Sequence, residues 1–166
     1  MQKEQLPKYV FLFLGGINNT YIFETASQIA YEIKFKPSEY LFEEYEEFKY
    51  NIYEFSLLIA YNPYKKSPSL DKFIPQTVAD IVQDFLKKEE RIALYICDSS
   101  DSKEAARARK FGHWFSYMNN GSFVKYETII SDVSANYYIS VILRGDHPYK
   151  IKILTAFDEL TTSPQK

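Results

Sequence analysis

Residues 20–36 have the sequence TYIFETASQIAYEIKFK, and this stretch decides the class of fold. Apolar and polar side chains alternate in both of its halves. From Ile29 onward the odd-numbered positions carry Ile, Tyr, Ile and Phe, whereas Glu32 begins a charged series at the even-numbered ones. A period of two predicts half-buried strands. The short link ASQ between the halves suggests a hairpin, so we expect an antiparallel pair early in the domain.

Strand-like and helix-like patterns follow in turn along the rest of the chain. Buried or alternating runs predict strands over residues 52–61, 91–97, 123–132 and 137–144. Helical spacing predicts a helix from a Thr77 cap to about Lys88, a second over residues 102–119, and a third that opens with Asp146 as its cap. The predicted order is β-β-β-α-β-α-β-β-α. It describes an α+β fold with a largely antiparallel sheet of about six strands and two or three helices on one side.

The two ends of the chain are set apart from this domain. Residues 1–19 hold an apolar run that ends in the turn sequence GGINN, which predicts an N-terminal arm or edge strand. We expect residues 20–160 to form a single domain and residues 161–166 to form a disordered tail. An exposed arm can pair with another chain, so a homodimer through residues 1–19 is one expectation. The acidic and aromatic segment 39–50 matches no regular element.

The composition is that of an ordinary globular protein, and it excludes several classes. The chain has 166 residues, the size of one domain, and a net charge of −2, which gives no general attraction to nucleic acid or anionic membrane. The single cysteine, Cys97, excludes an internal disulfide. The sequence has no Gly-rich phosphate loop, no paired cysteines and no His-Glu zinc motif. We therefore predict no cofactor, no metal and no membrane partner, and a cytoplasmic location.

The predicted helix 102–119 carries the pattern most typical of a binding site. On a helical wheel a stripe of cations and aromatic rings runs beside the core face, and it consists of Lys103, Arg107, Lys110, Trp114 and Tyr117. Cationic side chains attract phosphate or carboxylate, and an indole can stack on a base. The alternative is ordinary packing of Lys110 or Arg107 against a half-buried Trp114.

The loop before this helix is a second candidate. Asp98 and Asp101 follow a buried strand, at the end of a sheet where sites often lie, and Arg107 comes shortly after them. Two carboxylates and an arginine could serve a hydrolase or nuclease, with the arginine stabilising an oxyanion. The alternative is structural, because an acid at 101 followed by Glu104 is a capping-box pattern.

The histidines and the cysteine give weaker indications. His113 is predicted on the wetter side of the helix with Arg109, and we keep it as a candidate site residue. Cys97 could be a nucleophile with His113 as its base. A single cysteine that ends an apolar strand is more often a small buried side chain. His147 is expected to be a surface or capping residue.

Several of these segments resemble a family of small uncharacterised bacterial proteins, a domain of unknown function. The most specific part is the Cys97-Asp98 turn followed by the Arg-x-Arg-x-Phe-x-x-Trp-Phe pattern of residues 107–115. The sequences YIFET at residues 21–25 and His147-Pro148 also match. The resemblance implies a bacterial cytosolic origin and a helical final segment, and it implies no activity.

Three functions are consistent with these observations. The first is a non-enzymatic interaction or regulatory module with a protein partner, because no catalytic set is complete. The second is binding of nucleic acid or a nucleotide by the basic and aromatic face of helix 102–119. The third is a hydrolase or nuclease that uses the Asp98/Asp101 loop.

Overall fold

A computed structural model of the chain describes residues 8–97, 104–117, 121–131 and 136–162. Seven strands of these residues form one sheet, and three α-helices pack on it. The strands are β1 (Phe11–Gly15), β2 (Thr20–Glu24), β3 (Ala30–Pro37), β4 (Ile52–Tyr61), β5 (Ile92–Cys97), β6 (Phe123–Ser131) and β7 (Asn136–Arg144). The helices are α1 (Phe73–Phe85), α2 (Glu104–Ser116) and α3 (Lys150–Thr162).

The predicted α+β class and the mostly antiparallel sheet are confirmed, but the strand count was too low. The spatial order of the strands is β1-β2-β3-β4-β5-β7-β6, and only β4 and β5 run parallel. The additional strand is β1, which pairs with β2 from Phe11↔Phe23 to Gly15↔Thr20. The N-terminal arm is thus part of the sheet, because its apolar residues complete the face that β2 presents.

The hairpin predicted from residues 20–36 is present. β2 and β3 pair antiparallel, with Tyr21 opposite Ile33 and Phe23 opposite Tyr31. Gln28 adopts a φ of 65° in the link, which lets the chain reverse over three residues. Tyr31, Ile33 and Phe35 of β3 are buried, as their alternation predicts.

The helices cover both faces of the sheet, so the prediction that they lie on one side was wrong. One core contains α1 and Trp114 of α2 together with the buried face of β2, β3 and β4. A second core contains α3 with the opposite face of β5 and β7. Ile92 and Leu94 point into the second core and Ala93 into the first, so the central strand is buried on both sides. A strand of this kind needs cover on each face.

The start of α1 differs from the prediction. The helix begins at Phe73, whose amide donates to the carboxylate of Asp71 at 2.9 Å. Thr77 was predicted as the cap, but it lies one turn inside the helix and is buried. Its hydroxyl donates to the carbonyl of Phe73 at 2.7 Å and accepts the amide of Tyr9 at 2.8 Å. The sequence alone does not distinguish a threonine that caps a helix from one whose hydroxyl bonds to the preceding turn within the helix.

The start of α3 also differs. Asp146 does not cap the helix, since its carboxylate pairs with Arg144 at 2.9 Å. His147 is buried instead, and its Nδ1 accepts the amide of Tyr149 at 3.0 Å. Its Nε2 then donates to the carbonyl of Glu90 at 2.9 Å. The imidazole therefore connects the start of α3 to the segment before β5.

The acidic and aromatic segment 39–50 forms two short 3-10 turns, at Glu39–Phe42 and Lys49–Asn51. Phe42 and Phe48 are buried in the second core, while the glutamates stay at the surface. The aromatic rings thus close the face of the sheet that α3 leaves open.

The sheet divides between β4 and β5. Their parallel pairing covers only Ile52↔Ile92 through Glu54↔Leu94. Beyond this point β4 continues to Tyr61 with β3 as its partner, and β5 continues with β7. The rings of Phe55 and Tyr95 meet edge to face, 5.5 Å apart, where the two strands begin to separate.

Candidate functional site

A cleft of about 700 Å³ lies beside the part of β4 that has left β5. Its walls come from the second half of β4 with Tyr31 of β3 beside it, from the segment 67–75 that contains the start of α1, and from one face of α2. The lining is mainly apolar. Its apolar members are Tyr31, Leu57, Leu58, Ile59, Pro68, Leu70, Ile74, Pro75, Trp114 and Tyr117.

The β4 wall is the edge of a strand. Leu57 and Ile59 point to the face that α1 covers, whereas Leu58 points to the opposite face. All three consecutive residues nevertheless line the cleft. A cavity that meets both faces of one strand must pass along its edge. Among the described residues, this part of β4 pairs only with β3, so its other backbone edge faces the cleft.

The α2 wall contains four of the predicted site residues, Lys110, His113, Trp114 and Tyr117. They occupy positions i, i+3, i+4 and i+7, which span an arc of about 100° on a helix. The ammonium of Lys110 lies 5.4 Å from the centre of the Trp114 ring. The imidazole of His113 meets the ring of Tyr117 edge to face at 5.4 Å.

Two details of this wall correct the predictions. His113 was predicted on the wetter side of α2, opposite the core face and apart from the stripe that contains Trp114, but both line the same cleft, because the face that α2 turns to the cleft is broad. Trp114 is only 6% exposed and belongs to the first core. Little of its indole is therefore open for stacking on a base.

The third wall is anchored to the N-terminal arm. The carboxylate of Asp71 accepts hydrogen bonds from the phenol of Tyr9 and from the amide of Phe73. Burial raises the pKa of the Tyr9 phenol, and the hydrogen bond to Asp71 raises it further. A smaller pocket of about 260 Å³ also borders this segment and shares Tyr31, Ile74 and residues 68–72 with the cleft. Segment 67–75 thus borders both cavities, and its position depends on Tyr9.

The rim of the cleft carries basic groups. Lys72, Lys110 and His113 are exposed there. Asp71 is the acidic group in the described lining, and its oxygens already accept bonds from Tyr9 and Phe73. The rim therefore favours a ligand that carries negative charge beside apolar groups.

The remaining predicted site residues are placed differently. Asp98, Asp101 and Lys103 lie outside the described residues, and Arg107 belongs to α2 without a described side chain. Cys97 is buried at the end of β5, with 2% of its surface exposed. Such burial is typical of a packed thiol and not of a nucleophile open to substrate.

Sequence reasoning missed the apolar part of the site. Leu58 and Ile59 are about half exposed, and Leu70 is fully exposed. In the sequence, Leu58 and Ile59 belong to a run that is typical of a buried strand, and Leu70 lies in a loop. The available signal was the length of β4. A ten-residue strand beside a six-residue parallel neighbour leaves an overhang.

Within the described part of the chain, no three His, Cys, Asp or Glu residues are grouped as metal ligands would be. None of the helices in these ranges has the length and apolar character to cross a membrane.

The chain belongs to a family of unknown function, DUF6169, whose model matches residues 70–159. This match covers α1 through most of α3, including two walls of the cleft. No curated protein matches the chain. A solved structure, that of the CoA-dependent acyl-homoserine lactone synthase MesI, aligns with a TM-score of 0.39 and 8% identity, over 89% of this chain and 71% of that one. A similarity this low carries no argument about function.

Proposed function

We propose that this protein is a non-enzymatic interaction module of the bacterial cytoplasm that binds an extended segment of a partner protein in the cleft. One observation supports this most directly. β4 continues to Tyr61 after its pairing with β5 ends at Glu54, and the edge it leaves forms the wall of an apolar cleft.

The backbone of β4 suits a peptide. Along a strand, alternate N–H and C=O groups point to each side, so a strand paired on one side presents a row of donors and acceptors on the other. An extended peptide can satisfy these groups by adding as a further strand. The apolar walls make it favourable for a peptide with apolar side chains to bind there from water.

The side chains of the cleft suit a particular peptide. An added strand places every second side chain against the same surface, and the surface here offers Leu57, Ile59 and Ile74. The side chains between them point away from this surface into solvent, and the basic rim that contains Lys72 and Lys110 favours negative charge there. We infer a segment with aliphatic residues at alternate positions and acidic residues between them.

The other two functions have less support from the described residues. Stacking of a nucleotide on α2 needs an open indole face, and Trp114 is buried. The carboxylates of a hydrolase or nuclease, Asp98 and Asp101, lie outside the described residues.

The test uses synthetic peptides of about six residues in which leucine or valine alternates with glutamate. We expect saturable binding, observed as a change in the emission of Trp114, the single tryptophan. Peptides with lysine in place of glutamate should bind more weakly. Peptides N-methylated at alternate residues keep the side chains but lose strand hydrogen bonds, so they should also bind more weakly. Equal binding of the methylated peptide would exclude strand addition.

Two variants locate the binding site. Lys110→Glu should weaken binding of the acidic peptide about fivefold, the effect of about 1 kcal/mol at an exposed charge. Leu58→Asp should weaken it at least as much. The matched controls are Lys88→Glu and Ile151→Asp, which make the same changes at exposed positions outside the cleft. If the controls weakened binding equally, the cleft would not be the site.

A further inference from the structure

We propose that two copies of this chain pair through β1, antiparallel and edge to edge, to form a closed homodimer with one continuous sheet. The proposal rests on a difference between the two terminal strands of the sheet. β1 and β6 are its terminal strands, and they differ in how they are protected.

The β6 end has features that oppose pairing. Lys125 and Glu127 lie on this strand and form an ion pair of 3.3 Å. The phenol of Tyr126 donates to Asp158 of α3 at 3.1 Å, which holds that side chain toward the helix. Charged residues on a terminal strand are a common protection against association.

The β1 end has no charged residue of this kind, and the irregularity in its pairing with β2 is a bulge between Phe13 and Gly15. Residues 9–15 have the sequence YVFLFLG, without charge or proline. Val10, Leu12 and Leu14 are each at least 60% exposed. Within the described residues, β1 pairs on one side only, with β2. An exposed and uncharged terminal strand is a template for another strand.

The sequence of β1 favours a second copy as its partner. A two-fold axis through Leu12 places Leu12 opposite itself and Phe11 opposite Phe13, in the regular part of β1 before the bulge. Every pair in this register is apolar, and neither copy brings a charge to the contact. Pairing of β1 with β6 of another molecule would be head to tail, would bury Lys125 and Glu127, and would form open chains of molecules.

Sedimentation equilibrium tests the proposal. The wild-type chain should approach twice its mass of 19.5 kDa as concentration rises. Leu12→Lys should weaken dimerisation about a hundredfold or more, because the axis brings two ammonium groups together. Ile151→Lys is the control, since it places the same charge at an exposed apolar position on α3 and should leave the dimer intact.

Oxidative cross-linking provides a second measurement that does not depend on the folding of the lysine variant. Leu12→Cys should form an intermolecular disulfide, whereas the buried Cys97 of the wild type should not. A wild-type mass of one chain at every concentration, an assembly larger than a dimer, or equal loss of the dimer in Ile151→Lys would each overturn the proposal. These outcomes leave the cleft intact, so they do not affect the peptide-binding proposal.

Discussion

The phenol of Tyr21 on β2 donates a 2.7 Å hydrogen bond to the carboxylate of Asp84 on α1. The pKa of Tyr21 lies well above its ordinary value. Burial of the phenol is the main cause, and the hydrogen bond to Asp84 is the second. The folded protein therefore holds the phenolic proton more tightly than the unfolded chain does. The contact connects the sheet to the helix that covers it, and it makes stability depend on pH in the alkaline range.

Stability should be fully present below about pH 10, where an unfolded tyrosine is protonated, and should fall as the pH rises above it. Tyr21→Phe should lose about 1 to 2 kcal/mol at neutral pH but should decline less steeply in alkali. Urea unfolding at a series of pH values measures both effects. Asp84→Asn is the control that keeps an acceptor and removes the charge, and it should also reduce the alkaline slope. Identical slopes in all three proteins would contradict the role of this contact.

The two histidines should differ sharply in their contribution to stability. His147→Ala leaves the amide of Tyr149 and the carbonyl of Glu90 without their imidazole partner at a partly buried place, and should cost about 1–2 kcal/mol. His113→Ala is the matched control at the exposed cleft rim, where a cost within about 0.5 kcal/mol is expected. Thermal unfolding of the two variants decides the matter, and similar costs would show that His147 has no special structural role.

The fluorescence of Trp114 should report a buried indole. With 6% of its surface exposed, the emission maximum should be shifted to the blue and iodide should quench it weakly. Single-stranded nucleic acid and nucleotides, added at low salt, should leave the emission unchanged, whereas the acidic peptides described above should alter it. A saturable response to nucleotides that weakens steeply with salt would instead favour phosphate binding at this helix.

The stacked pair of Phe35 and Phe85 should be among the most important contacts of the first core. Their ring centres are 3.8 Å apart with nearly parallel planes, and both side chains are fully buried. Phe35→Ala should therefore cost about 3–5 kcal/mol. Tyr61→Ala removes an exposed ring from the same sheet and should cost far less. Denaturant unfolding compares them, and a small effect of Phe35→Ala would mean that the core closes around the missing ring.

The extent to which the sequence predicted this protein differs between elements. The β2–β3 hairpin follows from alternation within seventeen residues, and the burial of Tyr31, Ile33 and Phe35 agrees with it. The caps were less predictable. Thr77 and Asp146 have the residue types of helix caps, but the side chains of Asp71 and His147 accept the amides at the starts of these helices, because the partner groups are fixed by packing.

In the candidate site, too, the features within one element were predicted and the contacts between elements were not. Lys110, Trp114 and Tyr117 were predicted to share a face of α2 and do so, because their spacing is a property of one helix. The opposing wall of Leu58, Ile59 and Leu70 was not predicted. Nothing in the spacing of residues on α2 indicates which strand edge or loop lies across from it.

Local sequence patterns were enough to predict the class of fold, the principal strands and the apolar faces, because periods of two and of about 3.6 are set by local backbone geometry. They did not predict that β4 separates from β5 after Glu54, that α3 covers the opposite face, or that His113 and Trp114 line one cleft. These features depend on contacts between residues far apart in the chain. A strand with two possible partners, or a helix with two faces of the sheet available, has the same local pattern in either arrangement.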